Sequence, residues 1–262
     1  MFHGMPTFTA DDGVDIAYQV WDGDPGQPLV LLHHGFIANG HVNWVAPGVV
    51  AALTATGRRV ATIDARGHGA SGKPHDPAFY GESRMAQDVR TLADVLGEPV
   101  YDLAGYSMGA IVSLLTAVSD PRVRRLVIGG VGAGVVELGG VDTRVVRRDA
   151  LRHALTTDDP ATITDPSAAA FRAFVEAVGG DRTALAAQVA AAHNRPIPLG
   201  EITAPTLVLA GERDNLATRP EALAAAIPGS TLRVVPGDHL GAVREPALIQ
   251  ALVTFLNTGA PV

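Results

Sequence analysis

A strand-to-helix junction at residues 100–109 constrains the fold of this chain more than any other feature. The apolar run 100–104 predicts a short strand, which leads directly into the G-x-S-x-G motif at 105–109 and then into an apolar helical segment. A serine on so sharp a turn is crowded, and glycines two residues before and after it remove Cβ atoms that would collide. The turn is expected to lift the Ser107 hydroxyl above the sheet, where the N–H groups of the following helix can stabilise negative charge.

Short apolar segments alternate with amphipathic segments along most of the chain. Further strands are predicted at 14–21, 28–32, 59–63, 123–128, 206–210 and 231–235. Helical spacing of apolar residues is found at 45–56, 84–96, 219–227 and 245–256. This alternation is typical of a parallel sheet with helices on both faces. We therefore expect an α/β protein with a doubly wound, mostly parallel β-sheet.

Residues 135–200 depart from this rhythm, because they contain no convincing strand. Three helices are predicted there instead, at 142–155, 166–178 and 181–192. A helical insertion between two strands is expected to cover the sheet edge at which α/β proteins bind ligands. The predicted division is thus a core of 1–134 and 201–262 with a helical lid of 135–200. The alternative is that these helices only add packing and do not contact substrate.

Composition restricts the compartment and the partners. The chain has 262 residues, 47% of them hydrophobic and 18% charged, which is typical of a globular protein. A net charge of -7 argues against nucleic acid and anionic membranes as partners. The absence of cysteine excludes disulfides and a thiol nucleophile. Without a signal peptide or a membrane-spanning run, we expect a cytoplasmic protein, and its Ala-, Gly- and Val-rich composition is typical of a GC-rich bacterial genome.

Five motifs, taken in order, carry a resemblance to a known family. They are H-G-F at 34–36, D-A-R-G-H-G-A-S at 64–71, the serine motif at 105–109, L-V-L-A-G-E-R-D at 207–214 and G-D-H at 237–239. In order and spacing the chain resembles the α/β-hydrolase superfamily over essentially its full length. The resemblance implies the α/β-hydrolase fold with a small helical cap inserted after the sixth strand. It also implies a serine nucleophile, an acid and a histidine base in that chain order.

The residues at these positions suit nucleophilic catalysis. A serine hydroxyl needs a base to take its proton as it attacks, and His239 matches the family's base. The base needs a carboxylate that fixes its tautomer, and Asp214 matches the family's acid. Glu212 is an alternative acid, whereas Asp238 cannot easily fold back onto the neighbouring ring. The predicted catalytic residues are therefore Ser107, Asp214 and His239.

Two backbone N–H groups are expected to form an oxyanion hole. One belongs to Met108, directly after the nucleophile, and in relatives with an H-G-aromatic motif the other belongs to the residue after the glycine, here Phe36. Phe36 and Tyr106 are expected to line the substrate pocket, although Phe36 can also be read as an ordinary core aromatic. His34 is expected to brace the oxyanion loop through hydrogen bonds. Residues 64–68 resemble the family's structural turn, which supports the serine motif.

The resulting hypothesis is a serine hydrolase that cleaves small-molecule carboxylic esters of small or medium acyl chain through an acyl-enzyme. It requires no cofactor and no metal. Carbon–carbon bond hydrolases, lactonases, amidases, thioesterases and cofactor-free perhydrolases share the same residues and remain alternatives. A non-enzymatic ligand receptor is a more remote alternative, because fold alone does not fix function.

Overall fold

A single sheet of eight strands organises the protein, whose computed structural model describes residues 5–258. The strand order is β1-β2-β4-β3-β5-β6-β7-β8. The strands β1 and β2 pair antiparallel with their neighbours, and all other pairs are parallel. The predicted doubly wound, mostly parallel sheet is confirmed. The strand bounds are β1 Thr7–Thr9, β2 Asp15–Trp21, β3 Leu29–His33, β4 Val60–Ile63, β5 Tyr101–Tyr106, β6 Val123–Gly129, β7 Thr206–Gly211 and β8 Thr231–Val235.

The central strands are buried on both faces of the sheet. Every residue of β3, β5 and β7 is buried, which explains why these strands read as continuous apolar runs instead of alternating patterns. Alternate side chains of β3 enter different cores, Leu29 and Leu31 on one face and Val30 and Leu32 on the other. Helices cover both faces. Their bounds are α1 Val49–Thr54, α2 Glu82–Val95, α3 Met108–Ser119, α4 Ala133–Leu138, α5 Arg148–Thr156, α6 Pro166–Val178, α7 Arg182–Ala191, α8 Pro220–Ala226 and α9 Pro246–Thr258.

Two local differences from the sequence prediction have identifiable causes. The helix expected at 142–155 begins only at Arg148, because the Asp142 carboxylate binds the Arg144 backbone N–H at 3.0 Å and the Arg144 guanidinium at 2.6 Å. Such a side-chain-to-backbone hydrogen bond holds the chain in a turn. The three-residue edge strand β1 was not predicted, since it is too short to show a periodic pattern.

The helices between β6 and β7 pack over the loops that follow the strands. A separate apolar cluster joins Leu151 and Leu155 of α5 with Val189 of α7, and it includes Ile37 and Leu216 from loops at the end of the sheet. The helical segment is therefore anchored beside the same loops that carry the predicted site residues. None of the helices within residues 5–258 has the length and apolar character needed to cross a bilayer.

Candidate active site

Ser107 lies on a strained turn between β5 and α3. Its backbone φ is 56° and its ψ is -115°, values that a residue with a side chain adopts only when its surroundings enforce them. A Cβ atom on Gly105 would lie 2.1 Å from the carbonyl oxygen of Gly109, and a Cβ on Gly109 would lie 2.2 Å from the carbonyl oxygen of His33. Gly105 is therefore required by the turn itself, as the sequence suggests, whereas Gly109 is required by the close approach of the end of β3.

The structure brings Ser107, His239 and Asp214 together from three separate loops. The Ser107 Oγ lies 3.0 Å from His239 Nε2, and His239 Nδ1 lies 2.9 Å from Asp214 Oδ2. The buried Asp214 carboxylate also accepts the Leu216 backbone N–H at 2.9 Å, which fixes its orientation. Because a carboxylate only accepts hydrogen bonds, Nδ1 carries the ring proton and Nε2 is left as an acceptor for the serine hydroxyl.

The two other acidic residues near this site are engaged elsewhere. The Glu212 carboxylate pairs with the Arg213 guanidinium at 2.9 Å and is half exposed. The Asp238 side chain accepts the backbone N–H of Gly241 at 2.8 Å. This geometry favours Asp214 over Glu212 as the partner of His239.

Tyr106 holds the loop that carries His239. Its hydroxyl donates a 2.8 Å hydrogen bond to the His239 backbone carbonyl, and the two rings lie 5.5 Å apart. Burial, together with the negative charges of Asp214 and Asp238, raises the pKa of Tyr106, so the phenol stays a donor. Sequence reasoning assigned Tyr106 to the pocket but missed this positioning contact, because no local pattern links residues 133 positions apart.

Tyr106→Phe is expected to lower kcat roughly two- to thirteenfold, because it removes a hydrogen bond worth about 0.5–1.5 kcal/mol. The loss should appear in steady-state ester hydrolysis, with the apparent KM little changed. Tyr80→Phe is a matched control, because the buried Tyr80 hydroxyl also donates to a backbone carbonyl, that of Pro74 at 2.6 Å, away from Ser107. Equal effects of the two substitutions would contradict a positioning role for Tyr106.

Phe36 and Met108 lie beside Ser107 along the same cavity. Met108 is the first residue of α3, and Gly35 lies so close that its Cβ would be 3.3 Å from the Ser107 Cβ. Within the described residues 5–258, neither the Phe36 nor the Met108 backbone N–H has a hydrogen-bond partner. The N–H groups in the first turn of a helix have no acceptor within that helix, so they are available to bind an anion. The loop after β3, which carries Phe36, is also strained, since the backbone φ of Ile37 is 72°.

His34 braces the loop before Phe36, as the sequence predicts. Its Nδ1 donates to the Gly35 carbonyl at 2.7 Å, and its Nε2 accepts the Ala65 backbone N–H at 2.9 Å. The His68 ring lies 5.1 Å from the His34 ring and packs edge-on against Phe36 at 5.7 Å. A neutral, fully buried histidine pair therefore supports the loop that carries Phe36.

The turn at 64–68 ties this support to the rest of the core. The Asp64 carboxylate accepts backbone N–H groups of Gly40 and Ala70 at 2.8 and 2.9 Å. The Arg66 guanidinium donates to both oxygens of Asp88 at 2.8 and 2.7 Å. These contacts fit the structural role expected from the resemblance.

Three buried histidines make the fold sensitive to acid. Burial lowers the pKa of His33 to about 4 and the pKa values of His34 and His68 to about 3. An unfolded histidine binds a proton near pH 6.5, so acidification below that value favours the unfolded chain until the folded rings themselves titrate. Asp88 acts in the opposite sense below about pH 6, because burial raises its pKa to about 6.

His68→Gln is expected to flatten the dependence of stability on pH. Between about pH 6 and pH 4, the variant should lose less free energy of unfolding than the wild type, with a slope difference approaching 1.4 kcal/mol per pH unit. Urea unfolding at several pH values measures both slopes. Parallel slopes would show that His68 is not held neutral in the folded state.

Two cavities open on Ser107. We call the first the Met108-side pocket. Its apolar lining residues are Phe36, Met108, Val146, Leu151, Phe171, Val189 and Leu216, and its polar lining includes Glu82, Arg148 and Gln188. The second, the His239-side pocket, is lined by Phe36, Asn43, Tyr106, Phe171, Phe174, His239, Leu240 and Val243. The rings of Phe36 and Phe171 line both cavities and lie 6.3 Å apart. Two substituents of one bound molecule can therefore extend from Ser107 in different directions.

The fold and the serine turn define an α/β enzyme of the hydrolase class. Residues 29–251 match the model of the Alpha/beta hydrolase family, and the chain belongs to that family. A hydrolase from Pseudomonas aeruginosa PA01 is 30% identical, with a TM-score of 0.79 over 98% of this chain and 100% of that chain. An esterase from Exiguobacterium antarcticum is 23% identical, with a TM-score of 0.78 over 97% of this chain and 100% of that one, and shows the same fold.

One curated relative shares higher identity over a shorter region. An sn-1-specific diacylglycerol lipase from Danio rerio is 39% identical over 127 residues, which is 48% of this chain and 38% of the relative. The chain thus matches less than half of that protein's length. The expected hydrolase class is confirmed by the family match.

Proposed function

We propose that the protein is a serine hydrolase that cleaves carboxylic esters of small or medium acyl chain through an acyl-enzyme. The observation that carries this proposal is the hydrogen-bonded chain from Ser107 Oγ to His239 Nε2 and from His239 Nδ1 to Asp214. A nucleophile, a base and an orienting carboxylate in this geometry suit acyl transfer. The unpaired N–H groups of Phe36 and Met108 supply the expected oxyanion hole.

The reaction proceeds in two halves. His239 Nε2 takes the proton as Ser107 Oγ attacks the ester carbonyl, and the N–H groups of Phe36 and Met108 receive the charge on the carbonyl oxygen. When the tetrahedral intermediate collapses, the bond to the alcohol oxygen breaks and His239 protonates that oxygen. Water then attacks the acyl-enzyme with His239 as base, and the serine leaves with its proton restored. Asp214 stabilises the imidazolium in both halves.

Proton transfer assigns the two pockets to the two parts of the ester. The leaving oxygen must lie within reach of His239 Nε2 to be protonated, so the alcohol occupies the His239-side pocket. The acyl chain then extends into the Met108-side pocket, whose walls include Val146, Leu151 and Val189. Because α5, α6 and α7 contribute to these walls, they support our proposal that residues 135–200 form a lid over the core of 1–134 and 201–262.

Hydrolysis of a p-nitrophenyl ester series from acetate to palmitate tests the proposed function. We expect turnover that peaks at short or medium chains and declines toward palmitate as the acyl pocket fills. Palmitate rates that match the short-chain rates would overturn the size assignment. Silence across the series, with Ser107 still labelled by a fluorophosphonate, would overturn ester hydrolysis and direct attention to lactones, β-diketones or a receptor role.

A further inference from the structure

The Met108-side pocket contains a buried polar group that the proposed ester chemistry does not use. Glu82, at the start of α2, is 4% exposed, and Gln188, on α7, is 2% exposed. Both line the same cavity as Ser107 and Met108. Burial of a carboxylate and an amide is unfavourable unless both are hydrogen-bonded, so their presence in an apolar acyl pocket requires an explanation.

Structural contacts use only part of the hydrogen-bonding capacity of these two side chains. Glu82 Oε2 accepts the His193 backbone N–H at 2.6 Å, and Gln188 Oε1 accepts the Gly81 backbone N–H at 3.1 Å. The Gln188 amide also donates a side-chain hydrogen bond to the Glu82 carboxylate. Gln188 Nε2 lies 3.9 Å from the sulfur of Met108, which is a weak acceptor. A carboxylate offers about four acceptor positions and an amide nitrogen two donors. After the His193 N–H and the Gln188 amide are accounted for, Glu82 keeps an unused acceptor position, and the second amide hydrogen of Gln188 has only the weak sulfur acceptor. Each side chain can therefore form one further hydrogen bond to a molecule in the pocket.

The charge of this polar group is balanced. The Arg148 guanidinium lines the same cavity, and its Nη2 donates to the backbone carbonyls of Ala192 and His193 at 3.3 and 3.2 Å. Burial raises the pKa of the Glu82 carboxyl and the nearby Arg148 opposes that shift, so neither an anionic nor a cationic ligand group is favoured by a strong net charge. A neutral group that both donates and accepts a hydrogen bond matches this environment, and a hydroxyl on an alkyl chain is the simplest such group.

We propose that the Met108-side pocket selects acyl chains that carry a hydroxyl group beyond their apolar portion, with Glu82 and Gln188 as the specificity-determining residues. This inference rests on the proposed ester hydrolysis and on the placement of the acyl chain in that pocket. The hydroxyl donates to the Glu82 carboxylate and accepts from the Gln188 amide. The apolar walls contact the methylene groups between the hydroxyl and the carbonyl.

Isosteric ester pairs test this inference. Phenyl 6-hydroxyhexanoate and phenyl heptanoate differ by a hydroxyl in place of a methyl, as do phenyl 8-hydroxyoctanoate and phenyl nonanoate. We expect kcat/KM of the wild type to be about tenfold higher for the hydroxy ester in at least one pair, because a site with polar groups disfavours the analogue that leaves them unpaired. Preference for the methyl ester in both pairs would overturn the inference.

Two variants separate specificity from structural damage. Gln188→Leu removes the donor, and Glu82→Gln removes the negative charge while keeping an acceptor for the His193 N–H. Each should lower the hydroxy-to-methyl ratio of kcat/KM at least about fivefold. Rates that fall equally for both esters would assign the residues a structural role only. Preference of the wild type for chains ending in a carboxylate or an ammonium group would also overturn the inference.

The outcomes also distinguish this inference from the proposed function. If phenyl heptanoate is hydrolysed by the wild type without any preference for the hydroxy ester, ester hydrolysis stands and the inference fails. If no ester of either pair is hydrolysed, the proposed function itself fails.

Discussion

Replacing Ser107 with alanine is expected to lower kcat/KM on a short-chain ester by about 10⁴-fold or more while the protein stays folded. The substitution removes the only oxygen that lies 3.0 Å from His239 Nε2 among the described residues, and with it the acyl-enzyme route. The N–H groups that we propose for the oxyanion hole belong to the backbone and remain in place, so a small residual rate is expected from water attack. Steady-state hydrolysis of p-nitrophenyl butyrate and fluorophosphonate labelling measure the loss.

Ser113→Ala is the matched control for this experiment. Ser113 lies on α3, the helix that follows Ser107, is fully buried, and its hydroxyl has no hydrogen-bond partner within residues 5–258. Removal of an unpaired buried hydroxyl should leave activity within about twofold of the wild type. A Ser107→Ala protein that keeps more than about a thousandth of the wild-type rate would contradict the nucleophile assignment.

The sequence predicts the parts of the site that depend on local sterics and on chain order. Gly105 and Gly109 are recognisable because they flank the serine at fixed spacing, and the clash at Gly105 would be with Gly109, only four residues away. The parallel sheet is equally predictable, since buried central strands produce continuous apolar runs. The bracing role of His34 could also be predicted, because its loop comes directly after a strand and its motif resembles that of the family.

Contacts between distant segments could not be predicted in this way. The hydrogen bond from Tyr106 to the His239 carbonyl depends on how two loops meet in space. The polar end of the Met108-side pocket likewise depends on α2 and α7, whose separate sequences show only ordinary amphipathic helices. At Asp142, hydrophobic spacing predicted a helix, but a side-chain hydrogen bond to Arg144 favoured a turn. At each of these places the local structure depends on contacts that a periodic sequence pattern does not show.

Asp214→Asn is expected to lower kcat about 10³- to 10⁴-fold at neutral pH, although the two side chains have nearly the same volume. The oxygen that accepts the Leu216 N–H at 2.9 Å must stay an oxygen, so the new amide nitrogen replaces the oxygen 2.9 Å from His239 Nδ1. The remaining oxygen lies 3.0 Å from Nδ1 but already accepts two backbone N–H groups. The amide nitrogen is a donor, which favours the tautomer in which Nδ1 accepts. The ring proton moves to Nε2, which can no longer take the proton of Ser107.

Glu212→Gln separates this effect from a general change of charge near the site. Glu212 is the other acid after β7, and its half-exposed side chain pairs with Arg213. Exposed ion pairs of this kind contribute little to stability, so the kcat of Glu212→Gln should stay within about twofold of the wild-type value. Loss of activity in Glu212→Gln with retention in Asp214→Asn would reverse the assignment of the acid. Thermal unfolding of both variants serves as the folding check, because asparagine can still accept the Leu216 N–H that the aspartate caps.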